Sequence, residues 1–244
     1  MPRIEAVIFD MYETLVHNDH ALWIRTFDEI CEEQELSLRG QDLWDRWRTI
    51  ERGFRRERTN LDDPEKSPPF RTYEWAWGNA FREVFREIGK GDPGTAASRC
   101  VAETGRREPF PETAEAMNQL RASGRFRLAV LSNSDNDALN PLLLALGLNF
   151  DAVLSSESAR MYKPDPRIFR QILDVLGVEA SSSLYVGDSQ ADDVRGAKFL
   201  GMQAAWINRN GTQLDPALPA PDYVVGNLLE LLDILGVSRE VRSQ

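Results

Sequence analysis

The chain has 244 residues, 42% of them hydrophobic, and carries a net charge of −10. That is enough apolar material for one large domain, or for a core with an insert, and it excludes global disorder. The acidic balance argues against nucleic acid or an anionic membrane as the partner, while a small anionic substrate stays open because local charge can oppose the net. The first apolar run, residues 4–9, reads as a strand buried on both faces and ends at Asp10. From residue 17 to about 108 no strand-like run occurs. Leu43, Trp47, Ile50 and Phe54 share one helical face, and Tyr73, Trp77, Phe81, Val84 and Ile88 share another. Residues 60–69 read as a loop inside this helical stretch. Residues 89–94 match GxGxxG in form, but they follow a helical pattern and contain Pro93, so they read as a helix C-cap and turn. Beyond Arg107–Pro111 helical patterns at 113–122, 136–146, 166–176 and 192–200 alternate with apolar runs at 128–131, 152–154, 184–186, 204–207 and 223–225. Residues 238–244 read as a polar, frayed tail.

Such alternation predicts a doubly wound, Rossmann-like parallel α/β sheet. Its two parts, residues 1–16 and 109–244, flank an all-helical insert at 17–108. Cys31 and Cys100 have no metal-ligand spacing and are expected to be reduced, in a cytoplasmic setting. No signal peptide is expected, and no apolar run approaches the ~20 residues of a membrane span. The sequence leaves monomer and homodimer equally open.

Four short segments fall at the ends of predicted strands, where the reactive crevice of an open parallel sheet lies. They are Asp10 with Thr14; Ser132-Asn133-Ser134; Lys163 within 160–166; and Gly187-Asp188-Ser189 with Asp192 and Asp193. Each has a plain reading as a turn former, a solvated charge or a helix start. Together they supply carboxylates for a divalent cation, hydroxyl and amide donors for an oxyanion, and one ammonium.

In this order and spread, the segments resemble the haloacid dehalogenase-like hydrolase superfamily, and the helical insert resembles that family's cap. The resemblance implies a nucleophile at Asp10, a substrate-binding hydroxyl at Ser132 and a charge-neutralising Lys163. It also implies Mg²⁺ held by Asp10, the backbone oxygen of Tyr12, Asp188 and Asp193. Tyr12, Thr14 and Asn133 would line the substrate, with the Asn133 N–H as a further donor. These roles suit hydrolysis of a small phosphomonoester through an aspartyl-phosphate, because phosphoryl transfer rests on positioning and charge neutralisation.

Tyr12 departs from the phosphatase pattern. Phosphatases of this superfamily carry there a second Asp that protonates the leaving alcohol, and such help is worth ~10²–10⁴-fold in rate. The dehalogenase branch also has a Tyr at this place, which suits a halide that leaves without a proton. Residues 162–167 and Trp206-Ile207-Asn208-Arg209 resemble that branch too, although its members are metal-free and lack an acid at the place of Asp188. A metal-independent 2-haloacid dehalogenase is therefore the alternative, and a phospho-ligand-binding protein with little activity is a third reading. His17, His20 and Glu13 are candidate stand-ins for the missing acid. Arg48, Arg52 and Arg55 read first as a solvated basic face, with an anion-binding role as the sharper reading.

Overall fold

The computed structural model describes residues 3–237, so the tail expected at 238–244 lies outside the described residues. Six strands form one sheet: β1 (Ala6–Phe9), β2 (Arg127–Ser132), β3 (Ala152–Ser155), β4 (Ser183–Gly187), β5 (Gln203–Ile207) and β6 (Tyr223–Val225). Their order is β3-β2-β1-β4-β5-β6, and every pairing is parallel. This is a Rossmann-like α/β sheet, as the alternating pattern predicts. The order reverses between β1 and β4, and such a reversal opens a crevice beyond the strands' carboxyl ends.

By its internal contacts the chain divides into two compact units. The first, residues 3–17, 108–133 and 146–237, contains the sheet. Its central strands β1 and β4 are buried on both faces, which is why they read as unbroken apolar runs. Helix α8 (Pro166–Leu176) packs Ile168, Phe169, Ile172 and Leu173 with Ile8, Leu131 and Leu154 in one core. Buried aliphatic and aromatic side chains of this size are worth about 1.5–3 kcal/mol each. The sequence delimits α8 sharply: Asp165 caps its first turn by accepting from Arg167 N, Pro166 opens it, and Gly177 ends it in the left-handed region.

The second unit is helical and comprises residues 18–107 and 134–145. Its helices are α1 (His20–Glu33), α2 (Gly40–Glu57), α3 (Tyr73–Ile88), α4 (Pro93–Thr104) and most of α6 (Asn136–Leu146). Trp23, Phe27, Trp47, Trp77 and Phe81 make stacked, tilted and edge-to-face contacts in its centre. The predicted α2 face holds at Leu43 and Trp47, but Ile50 is exposed; its neighbour Glu51 takes the interior position instead. Residues 134–145 join this unit because the Asp135 carboxylate accepts from Tyr73 N and Glu74 N at the start of α3. Gly89 caps α3 at φ 75° and Asp92 caps α4, so the GxGxxG match is a helix–turn–helix boundary. Among the described residues no helix is long and apolar enough to cross a membrane.

Candidate active site

Apart from His20, Trp44, Arg48, Arg55 and Glu51, the groups that follow belong to the α/β unit. Asp10 sits one residue past β1 and stays in the ladder, its N–H donating to Val186 O at 2.9 Å. The chain then turns sharply. Glu13 adopts φ 58°, and the amides of Leu15 and Val16 both return to Met11 O at 2.8 and 3.1 Å. This turn carries Tyr12 and Thr14.

Lys163 arrives from the loop before α8 and is almost wholly buried. Its backbone is clamped by the Asn133 side chain, which accepts from Lys163 N at 2.8 Å and donates to Lys163 O at 3.1 Å. The ammonium donates to Asp10 Oδ1 at 2.7 Å, Asp193 Oδ1 at 2.7 Å and Tyr185 Oη at 2.8 Å. An ammonium has three N–H donors, so all three are engaged.

The acidic loop after β4 is built on a glycine. Gly187 has no side chain because a Cβ there would lie 2.3 Å from Asp193 Oδ2. Asp193 folds back so that Oδ2 accepts from Ser189 N at 2.9 Å, and the Ser189 hydroxyl accepts from Asp192 N at 3.1 Å. The helix expected at 192–200 therefore begins as a single π-type turn, Gln190–Val194, and continues as α9 (Arg195–Phe199). Asp10, Asp188 and Asp193 each turn one carboxylate oxygen to within 4.8 Å of the others.

The electrostatics follow from burial. Burial alone would lower the Lys163 pKa, but Asp10 and Asp193 outweigh it and hold the ammonium well above its ordinary value. Burial, then the charges of Asp193 and Asp10, push Asp188 well above the usual carboxylate range. Burial raises Asp193 to about 7 against the pull of Lys163. Three carboxylates thus cluster where one ammonium bonds only two of them, and such an all-oxygen donor set fits a hard divalent cation such as Mg²⁺.

Ser132, at the end of β2, and Thr14 are fully buried, and neither hydroxyl has a hydrogen-bond partner among the described residues. A buried hydroxyl left unpaired costs about 1–3 kcal/mol, so each is a donor in want of an acceptor. His17 lies against the Phe110 ring at 3.9 Å, and His20 meets the edge of Trp44 within the helical unit. Glu13 is near enough to raise Asp188. Arg48 and Arg55 both pair with the buried Glu51. Sequence reasoning misses Tyr185, which reaches across β1 from β4 to β2, donating to Leu131 O at 2.8 Å while accepting from Lys163. Its one signal is a phenol inside an apolar strand, where a buried hydroxyl needs a partner.

A family model described as haloacid dehalogenase-like hydrolase matches residues 4–201. The chain belongs to this family. Over 239 residues this hydrolase is 30% identical to haloacetate dehalogenase H-2 of Moraxella sp. (strain B), covering 97% of the chain and all of that enzyme. It is 37% identical to phosphoserine phosphatase of Thermus thermophilus over 165 residues, covering 64% of the chain and 66% of that enzyme. Among solved structures, an L-2-haloacid dehalogenase superposes with a TM-score of 0.76 at 25% identity, covering 96% of this chain and 99% of that one.

Proposed function

We propose that this hydrolase cleaves the carbon–halogen bond of a short 2-haloacid, with Asp10 as the nucleophile. The end-to-end likeness to a haloacetate dehalogenase carries the reading, and Tyr12 gives it a chemical reason. One Asp10 oxygen attacks the substrate's C2. The new C–O bond forms as the carbon–halogen bond breaks, and the halide leaves with the bonding pair. No proton is needed at that step, so Tyr12 in place of an acid is no handicap. Water then adds to the ester carbonyl of Asp10, giving the 2-hydroxy acid, a proton and the free carboxylate.

Lys163 pairs with Asp10 and aims its Oδ1, while Asp193 and Tyr185 hold Lys163. The Ser132 hydroxyl and the Asn133 N–H would receive the substrate carboxylate, which makes the substrate small and anionic. Halide release from chloroacetate and 2-chloropropionate, with and without EDTA, tests the reading. Release insensitive to EDTA is expected, and none at high enzyme concentration would refute it.

Asp188 favours a second reading, hydrolysis of a phosphomonoester. There Asp10, Asp188 and Asp193, with the backbone oxygen of Tyr12, would hold Mg²⁺, which supplies charge neutralisation at the phosphoryl group when bound. Asp10 would take the phosphoryl group, and Ser132 would donate to one of its oxygens. EDTA-sensitive turnover of a phosphomonoester panel, without halide release, would establish this reading over the first.

A further inference from the structure

We propose that the end of β5 braces the two acid loops, with Trp206 and Arg209 as positioning residues; the proposal rests on Asp10 being the nucleophile. Trp206 lies beside β4 in the sheet, in register with Gly187. Its indole N–H donates to Asp188 O at 2.6 Å. The first acid past β4 is thus fixed through its own carbonyl.

Three residues on, Arg209 reaches the other loop. Its Nη2 donates to Thr14 O at 2.9 Å and its Nε to Glu13 O at 3.4 Å. Nη1 pairs with Glu112 Oε1 at 2.7 Å, and the guanidinium lies 3.5 Å over the Phe110 ring. Arg209 is itself held in place. Asn208 N donates to Val225 O at 2.8 Å, and the Asn208 side chain donates to Thr212 O and accepts from Thr212 N.

The turn that Arg209 grips is the one that needs gripping. Glu13 has a side chain yet sits in the left-handed region, which costs roughly 1–2 kcal/mol. That strained residue lies three positions after Asp10. A planar fork bonding two successive carbonyls holds such a turn in one geometry, and a point-charge ammonium cannot copy it. One four-residue segment, 206–209, therefore ties the loop of Asp10 to the loop of Asp188. It sets the separation of the carboxylates without touching the reacting atoms.

The test uses R209Q, R209K and W206F in the full chain. For halide release from chloroacetate, R209Q is expected to lower kcat about 10²-fold, as a misplacement near 1 Å does, with KM within about twofold. R209K is expected to recover only part of the loss. W206F keeps the ring and loses one donor, for a kcat loss of about tenfold; it also decides the matter if R209Q does not fold. A merely structural role would lower the melting temperature and leave the kcat of the folded enzyme unchanged, and kcat within about twofold of wild type in R209Q and W206F overturns the brace. If the wild-type chain releases no halide, the dehalogenase reading has failed and amide exchange decides the brace alone. The Leu15 and Val16 amides must then exchange faster in R209Q while those of residues 128–131 do not change; equal exchange at Leu15 and Val16 overturns the brace.

Discussion

Both compact units bury carboxylates, and one cluster in the α/β unit is treated unlike the rest. In the helical unit Glu51 is shut away from water yet meets two guanidiniums, from Arg48 and Arg55, each partly exposed. Asp135 accepts from two amides at the head of α3. Every one of these charges is answered. In the α/β unit Asp10, Asp188 and Asp193 cluster around one ammonium, which bonds Asp10, Asp193 and Tyr185 and has no donor left for Asp188. Ion pairs that balance are architecture, whereas a buried surplus of one sign is an expense that folding alone does not explain. Asp165 of the α/β unit is answered too, by Arg167, so the difference marks the Asp10 cluster without reference to any relative.

The largest effects belong to the unbalanced cluster. D10N removes the attacking oxygen, and halide release is expected to fall by about 10⁴-fold, measured with a halide electrode under saturating substrate. K163M takes away the one positive charge that pairs with Asp10 and Asp193 among the described residues. It leaves two carboxylates buried and unpaired, which costs about 3–5 kcal/mol of stability and is read from denaturant unfolding near pH 7. Activity at the level of wild type in either variant would break the contrast drawn between the units.

How much of this was legible in the sequence depends on the range of the cause. The limits of α5 (Thr113–Ala122), α6 and α8 read correctly because helical spacing and local end signals set them. Three of the four segments do follow a strand directly, after β1, β2 and β4, since parallel strands deliver their carboxyl ends to one side, whereas Lys163 comes eight residues past β3, beyond a helical turn at Ser156–Ala159. Long-range pairings did not show. Tyr185 looks like any apolar strand residue until the Lys163 ammonium is placed against it. The Asn133 side chain is spent on the Lys163 backbone, thirty residues on. Asp135 belongs with α3 through two amides sixty-odd residues earlier in the chain. The π-type turn at Gln190–Val194 arises from Asp193 folding back onto Ser189 N, a geometry with no hydrophobic period.

A pH series sharpens the comparison. With its pKa raised to about 7, Asp193 keeps a proton in the folded state that the unfolded chain loses near pH 4. Asp188 is raised in the same direction. The folded state therefore binds more protons across that window, and stability is fullest below pH 4 as far as these two groups decide it. It is lost as pH climbs through 7. Lys163, raised above its ordinary value, stays charged throughout and adds no slope there. The groups facing Asp193 are Lys163, Asp10, Asp188 and Tyr185. The melting temperature is expected to fall by roughly 5–10 °C between pH 5 and pH 8, with calorimetry as the readout. Mg²⁺ at pH 8 restores it under the phosphomonoester reading and leaves it unchanged under the dehalogenase reading.

D188N divides the two readings at lower cost to the fold. Asp188 is one of three clustered acids, and the Lys163 ammonium bonds the other two, so relieving the crowding is expected to raise the melting temperature at pH 8 by roughly 2–4 °C. A dehalogenase without need of a cation keeps halide release within about tenfold, because Asp10 and Lys163 remain paired. A phosphatase that holds Mg²⁺ through this side chain loses turnover altogether.

E51Q in the helical unit is the smallest change and the control for all the others. Like K163M it deletes one member of a buried ionic group, but it deletes the buried member. Arg48 and Arg55, which remain, are partly exposed and regain water, so the cost is about 1–2 kcal/mol rather than the larger figure for stranded carboxylates. Burial already holds the Arg48 pKa down, with Arg55 and Arg52 adding to it and Glu51 opposing, so removing the Glu51 charge lowers it further, and the guanidinium turns outward rather than losing its proton. Halide release by the folded enzyme is expected to match wild type, and a kcat fall of more than about threefold would mean that the answered charges of the helical unit serve the chemistry after all.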